Sequence, residues 1–374
     1  MNVLHVVGGR EDIGGILSVL RNLHALGPGS GLRHQVLVHQ NYVETRAPAL
    51  DYVRSRHLLD ESPRHLRLLR AALPALRELR ALVRGERIDV LHAHTRGALP
   101  VAVGVDLLWR RRLLFTSHTY GRRKTAYRWA ARRRRLRFSV LTPNMARHYG
   151  IPLGPTGAAV VSECCGDRFF AQPLVERPPL EAQRPIRLVG LGNIVGWKNW
   201  HLVLLALAQL PAQVRERFTF DHWGPVPDSA DCRRLRNELA ELAHRAAPAR
   251  CEFHGLSLNV EEPLRQADWF VIPSTNEPCS VALIEALALG LPAIASASGG
   301  NVDILAPGRT GLLFKPDDAA DFSAHLIRLA RGEAAAVEPA AVRASVRHRC
   351  AAQVAAQYAH LYQEVRFPAE AAVG

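Results

Sequence analysis

The sequence predicts an α/β protein of two doubly wound, Rossmann-like domains that face each other across a cleft. Length is the first reason: 374 residues exceed one ordinary core and suit two domains of roughly 150–200 residues each. Composition is the second, with 48% hydrophobic and 22% charged residues, the balance of a globular chain. The third is a rhythm of short apolar runs and helical stretches that breaks at a proline-rich segment and starts again.

In the first run, strands are predicted at 2–7, 35–39, 89–93, 113–117, 139–142 and 159–162, and helices at 14–26, 64–84, 97–109 and 127–137. Such alternation implies a parallel sheet covered on both faces. Residues 171–185 carry Pro173, Pro178, Pro179 and Pro185 and read as a linker. The second run predicts strands at 186–190, 218–222, 251–254, 269–273, 292–296 and 311–314. Its helices fall at 198–210, 231–246, 281–289 and 318–331, with a last helical stretch over 342–365. The division is then 1–175 for the first domain, 176–185 for the linker and 186–345 for the second domain. Residues 346–374 form a terminal helix expected to pack back on the first domain. Ligands of such sheets bind beyond the carboxyl ends of the strands, at the cleft between facing domains.

Several function classes are set aside. The start, MNVLHVVGGRED, has no basic opening or cleavage site and is not expected to be a signal peptide. The longest uncharged stretch, 286–302, is broken by Gly290, Pro292, Gly299 and Gly300, so no transmembrane helix is expected. Six cysteines show no CxxC pair, which fits a reduced, cytoplasmic protein without structural zinc. The net charge of +14 attracts polyanions in general. The basic runs lack interleaved aromatics, so nucleic acid is not expected as a partner.

The richest segment is ADWFVIPSTNEPCSVALIEALALGLPAIASASGG, 267–300. A buried strand ends near Ser274, a loop carries Glu277, and a helix opens at Ser280, a good N-cap residue. The opening amides of that helix are unpaired donors at a positive dipole end, suited to a diphosphate. Glu277 and Glu285 are two acceptors able to hold hydroxyls at opposite ends of a sugar nucleotide. On residue chemistry alone they read equally as a loop residue satisfying the dipole and a surface helix residue.

Glu277-x7-Glu285, with Pro-Ser before it and ALG-LP-IAS-GG after it, resembles the signature of the retaining GT-B glycosyltransferases grouped as family 4. The resemblance covers nearly the whole chain and rests most on residues 250–314. It implies the GT-B fold and a retaining transferase that moves a hexose or N-acetylhexosamine from a UDP- or GDP-sugar. The acceptor it implies is a glycan or a lipid-linked molecule, in cell-surface polysaccharide or lipopolysaccharide synthesis, with no metal or other cofactor. A nucleotide-sugar hydrolase or epimerase of the same fold, and a non-catalytic sugar-nucleotide-binding protein, are the alternatives.

By that resemblance Glu285 holds the ribose hydroxyls and Glu277 the donor-sugar hydroxyls. The backbone of Cys279, Ser280, Val281 and Ala282 holds the diphosphate, and Gly299 and Gly300 approach the donor. Pro278–Cys279–Ser280 stands where the family often has Gly-Phe-Gly, and Asp303 stands for a frequent glutamate. In VGLGNIVGWKNW, 189–200, a strand, glycines and a lysine precede a helix, a phosphate-seating pattern. Lys198, at the predicted helix start, supplies a point charge; its usual arginine partner is replaced by Asn193, leaving half the cation clamp missing. Gly14 and Gly15, by themselves a strand-to-helix turn, become the acceptor-side loop.

His118, after the strand 113–117, is implied as a catalytic group beside Glu277 and Lys198, near the donor sugar or the departing phosphate. Of His92 and His94, at most one is expected to face the cleft, and neither is assigned a metal. In 161–170 the family carries Asn-Gly where Glu163–Cys164 stands, read as a changed turn near the linker.

Arg67, Arg70, Arg77, Arg80 and Arg84 lie on one helical stripe beside Leu66, Leu69, Leu73, Leu76 and Val83. Pro74 is expected to kink or interrupt that helix. With Arg132–Arg135 the stripe forms a basic face that can lie on an anionic membrane surface.

Overall fold

The computed structural model describes residues 1–12, 14–46, 49–62, 65–177, 184–333 and 337–367. Arg64, Pro178, Pro179 and the last seven residues of the predicted 346–374 segment lie outside the described residues. The chain forms two compact units, 1–166 with 349–374, and 167–348.

Unit 1 holds seven parallel strands: β1 (Asn2–Val6), β2 (Arg33–His39), β3 (Asp51–Ser55), β4 (Val90–Ala93), β5 (Leu113–Ser117), β6 (Leu136–Val140) and β7 (Ala158–Val160). Their order is β3-β2-β1-β4-β5-β6-β7. Val3, Leu4, Val90, Leu91, Leu114 and Phe115 are all buried, as expected where helices cover both faces of a sheet. The chain builds outward from β1 in one direction, then restarts at β4 in the other. The topological switch point therefore lies between β1 and β4.

Three predicted elements change here. The helix expected at 127–137 ends earlier, as Lys124–Ala131, and β6 begins at Leu136 rather than 139. Buried Leu136 and Phe138 alternate with Arg137, a period of two. The arginine run before them turns, with Arg133 Nε 2.6 Å from Asp106 Oδ2. Pro74 does not interrupt its helix, which runs unbroken as His65–Gly85. The edge strand β3 and the helix Pro143–Tyr149 were not predicted. The terminal helix Ala351–Val365 belongs to unit 1 and buries Val354, Tyr358, Tyr362 and Val365.

Unit 2 holds β8 (Ile186–Leu191), β9 (Phe218–Trp223), β10 (Arg250–Gly255), β11 (Trp269–Ile272), β12 (Ala293–Ser296) and β13 (Gly311–Phe314). The order β10-β9-β8-β11-β12-β13 puts the switch point between β8 and β11. Trp200, Leu204 and Leu207 of the helix Trp200–Gln209 share one core with Phe322 and Leu326 of Ala319–Ala330. Residues 167–175, assigned by sequence to the first domain, group with unit 2. There Arg168 pairs with Glu261 at 2.6 Å and Phe170 lies under Arg347.

Candidate functional site

The loops that follow β8 and β11 meet at the switch point of unit 2. Thr275 N donates to Trp197 O at 3.0 Å, which staples one loop to the other. Across that staple, Lys198 Nζ donates to Glu277 Oε2 at 2.5 Å, with side chains only 13% and 8% exposed. The ammonium also sits 4.5 Å above the Trp197 ring, a cation–π contact that helps fix its place. Lys198 does not open a helix as expected. It ends the 3-10 turn Gly196–Lys198, and the helix starts at Trp200 after Asn199, whose φ of 60° breaks the path.

Glu277 is held through its own backbone. Its carbonyl accepts from Gly300 N at 2.7 Å. A Cβ on Gly299, where φ is +60°, would lie 2.2 Å from that carbonyl oxygen, so only glycine fits. Ser280 caps the helix Val281–Ala288, accepting from Leu283 N at 3.1 Å. Cys279 is buried, while Val281, Ala282 and Glu285 are half-buried on the same helix and its approach. The structure thus brings Lys198, Glu277, the 279–282 turn, Gly299 and Gly300 together. Asn193 lies on the Lys198 loop, where its carbonyl accepts from Trp200 Nε1 at 3.1 Å. Asp303 is half-buried in the short helix Asn301–Ile304.

In unit 1, Gly14 has φ 96° and caps the helix Gly15–His24. The loop before it is anchored by Asp12, which sequence reasoning missed. Asp12 Oδ2 accepts from Arg21 Nη2 at 2.7 Å and from the backbone of Thr45 and Arg46 at 3.0 and 2.8 Å. Burial alone pushes that carboxyl up, but Arg21 and the two amides outweigh it and hold it below its usual range.

Histidines fill the centre of unit 1. His34 Nδ1 lies 2.9 Å from His5 Nε2, and His5 Nδ1 lies 2.8 Å from His94 Nε2. His94 Nδ1 lies 2.9 Å from His118 Nε2, and His118 Nδ1 lies 2.8 Å from Glu163 Oε1. His92 stands beside this string, bonded to Tyr362 and Thr116 at 2.9 and 2.7 Å. Burial, then neighbouring histidines, push His5, His92 and His94 well below the ordinary imidazole range. Burial lowers His34 to about 4. The expectation that at most one of His92 and His94 faces the cleft rests on the two alternating across the strand, and that premise is corrected: residues two apart on a strand share a face, and their rings sit 3.8 Å apart. Glu163 is not a bare change of turn but the anchor of His118. One signal was available: His5 and His92 are direct partners in the β1–β4 register.

Two groups bring possible metal ligands within 4.8 Å of one another, His5 with His92 and His94, and Asp221 with Glu252 and His254. In the first, every ring nitrogen is already hydrogen-bonded.

Two Rossmann-like units, each a parallel sheet covered by helices, define a protein of GT-B fold. A sucrose-phosphate synthase from Thermosynechococcus elongatus superposes with a TM-score of 0.75 at 19% identity, covering 97% of this chain and 98% of that one. HepE of Anabaena in complex with UDP gives a TM-score of 0.74 at 17% identity, covering 97% and 100%. The family model for glycosyl transferases group 1 matches residues 175–345, and that for glycosyltransferase family 4 matches 13–149. The chain belongs to the family 4, group 1 glycosyltransferases. A putative colanic acid biosynthesis glycosyltransferase, WcaL of Salmonella typhimurium, is 28% identical over 169 residues, 43% of this chain and 40% of that protein. The chain covers less than half the length of the curated relatives it matches first, 6–40%.

Proposed function

We propose that this chain is a retaining, metal-independent glycosyltransferase that takes a hexose or N-acetylhexosamine from a UDP- or GDP-sugar. It delivers the sugar to a glycan or lipid-linked acceptor in cell-surface polysaccharide or lipopolysaccharide synthesis, at the cytoplasmic face of a membrane. The observation that carries the reading is the Lys198–Glu277 pair beside the capped opening of Val281–Ala288. An incoming diphosphate takes the Lys198 charge and the positive end of the helix that opens at Ser280, beside the backbone of 279–282. Glu277, released from its cation, accepts donor-sugar hydroxyls, and Glu285 accepts those of the ribose. Gly299 and Gly300 allow the donor to approach. With Asn193 neutral, Lys198 is the single cation in 189–200. HepE was solved with UDP, which favours a uridine donor.

The acceptor hydroxyl, brought by the Gly14–Gly15 side, attacks the anomeric carbon on the face the phosphate leaves. Its proton passes to the leaving phosphate oxygen, so no covalent glycosyl-enzyme forms. His118 stands by the transferred group. Membrane contact falls to the helix His65–Gly85, where Leu66, Leu69 and Leu73 are 67%, 58% and 51% exposed beside Arg67, Arg70 and Arg77. Leu76, placed by sequence on the same stripe, is buried. Among the described residues no helix is long and apolar enough to cross a membrane.

Thermal unfolding with UDP, GDP, ADP and TDP in turn tests the donor site. A nucleotide at 100 times its dissociation constant stabilises by about 2.7 kcal/mol. One nucleotide is expected to do so, less in Glu285→Ala. No shift with any of them contradicts the reading, and free sugar released without acceptor points to a hydrolase instead.

A further inference from the structure

We propose that Glu163 and His94 are positioning residues that hold His118 as the neutral Nδ1–H tautomer, so that the ligand group His118 meets is a hydroxyl donating to Nε2. This rests on the reading above only in placing His118 beside a ligand. The rest follows from hydrogen-bond direction along the string His34–His5–His94–His118–Glu163.

A carboxylate only accepts. His118 Nδ1 therefore donates to Glu163 Oε1, and in the neutral ring that the proposal assigns to it Nε2 is left as an acceptor. His94 Nδ1 must then donate to it, which makes His94 Nε2 an acceptor for His5 Nδ1–H. By the same step His5 Nε2 accepts from His34 Nδ1–H. One charge at one end sets four tautomers in the same sense. Burial favours the neutral form of His5, His94 and His34, whose values it lowers.

The two loose ends agree with this direction. His34 Nε2 and Glu163 Oε2 are buried and have no hydrogen-bond partner among the described residues. The string predicts both to be bare acceptors, and a bare acceptor is less costly to leave than a bare N–H. Glu163 is 4% exposed, so its second oxygen is a buried acceptor beside the ring it orients. A ligand hydroxyl replacing the His94 N–H on His118 Nε2 keeps every other bond of the string intact. A ligand acceptor there would need the proton on Nε2, which takes it from the bond to Glu163.

The test is long-range proton–nitrogen NMR on the full chain labelled at histidine, at neutral pH, with signals assigned from single His→Asn variants. His34, His5, His94 and His118 are each expected to carry the proton on Nδ1 with Nε2 bare. In Glu163→Leu, which removes the acceptor, His118 is expected to switch to Nε2–H and donate to His94. An Nε2–H or a charged His118 in the wild type overturns the proposal, as does a bound metal ion shared by His5, His92 and His94. So does a folded Glu163→Leu in which His118 keeps Nδ1–H. The wild-type spectrum needs no variant to fold. Stabilisation by UDP, which belongs to unit 2, is expected to survive in Glu163→Leu; its loss from the wild type would count against the donor site and not against the tautomer.

Discussion

The two units place polar groups at the same topological position by opposite means. Unit 2 sets one fixed charge against another, Lys198 against Glu277 at 2.5 Å, beside a helix opening that adds more positive field. Unit 1 sets neutral rings in series, with a single carboxylate at one end. An ion pair is poised to be exchanged for a charged ligand, because a diphosphate replaces one anion by another. A neutral string carries direction rather than charge, and suits hydroxyls. The difference teaches that two doubly wound sheets of one chain can fill the same topological position with different chemistry, a charge pair in one and neutral rings in the other.

Acid separates the units most. Among the described residues six histidines of unit 1 are held below their unfolded value near 6.5, four of them (His5, His34, His92 and His94) deeply buried, so the unfolded chain binds more protons than the folded one. Their contribution is whole above pH 6.5 and is lost as pH falls below it, continuing to about 4 for His34. Each of the four buried rings costs about 1 kcal/mol one pH unit below 6.5, and the four together several kcal/mol. Unit 2 has one such group, His222, lowered by burial to about 3. Unfolding followed separately in each unit by hydrogen exchange at pH 7.5 and 5.5 is expected to show unit 1 opening first. Equal losses would erase the contrast.

Asp12→Ala leaves Arg21 buried without its partner and is expected to cost about 3 kcal/mol, read by denaturant unfolding and confined to unit 1. Gly299→Ala drives a Cβ onto the Glu277 carbonyl and is expected to cost about 2 kcal/mol in unit 2, with nucleotide binding weakened because Glu277 moves. Replacing Arg67, Arg70 and Arg77 together by serine should change stability by less than about 0.5 kcal/mol. Binding to vesicles rich in anionic lipid should fall by about 1 kcal/mol per arginine, and unchanged vesicle binding would remove the membrane role of this helix.

The fold was legible because its signals are local. Apolar runs such as Val3–Leu4 and Phe270–Val271 are buried on both sides of a parallel sheet and read as strands without context. Edge strand β3, DYVRS, is half-buried with two charges, and its pairing with β2 is invisible to a window of five residues. The loops of the proposed donor site were legible because Lys198, Glu277, Gly299 and Gly300 fall in recognisable sequence patterns. The 3-10 turn that carries Lys198 was not, since it depends on the αL residue Asn199. The histidine string lay outside local reading. Its members come from β1, β2, the ends of β4 and β5, and a loop beyond β7, and only register brings them together. Glu163 looked like a lost turn until His118 was found beside it.

Calorimetric titration of the full chain with UDP-glucose, on the wild type, Lys198→Met, Glu277→Gln and Glu163→Leu, tests the account most directly. Binding is expected in the wild type and in Glu163→Leu, and is expected to weaken at least about tenfold in Lys198→Met and Glu277→Gln, the loss of a charge-assisted contact. Wild-type affinity retained by both unit 2 variants would contradict the assignment of the donor site to the Lys198–Glu277 pair.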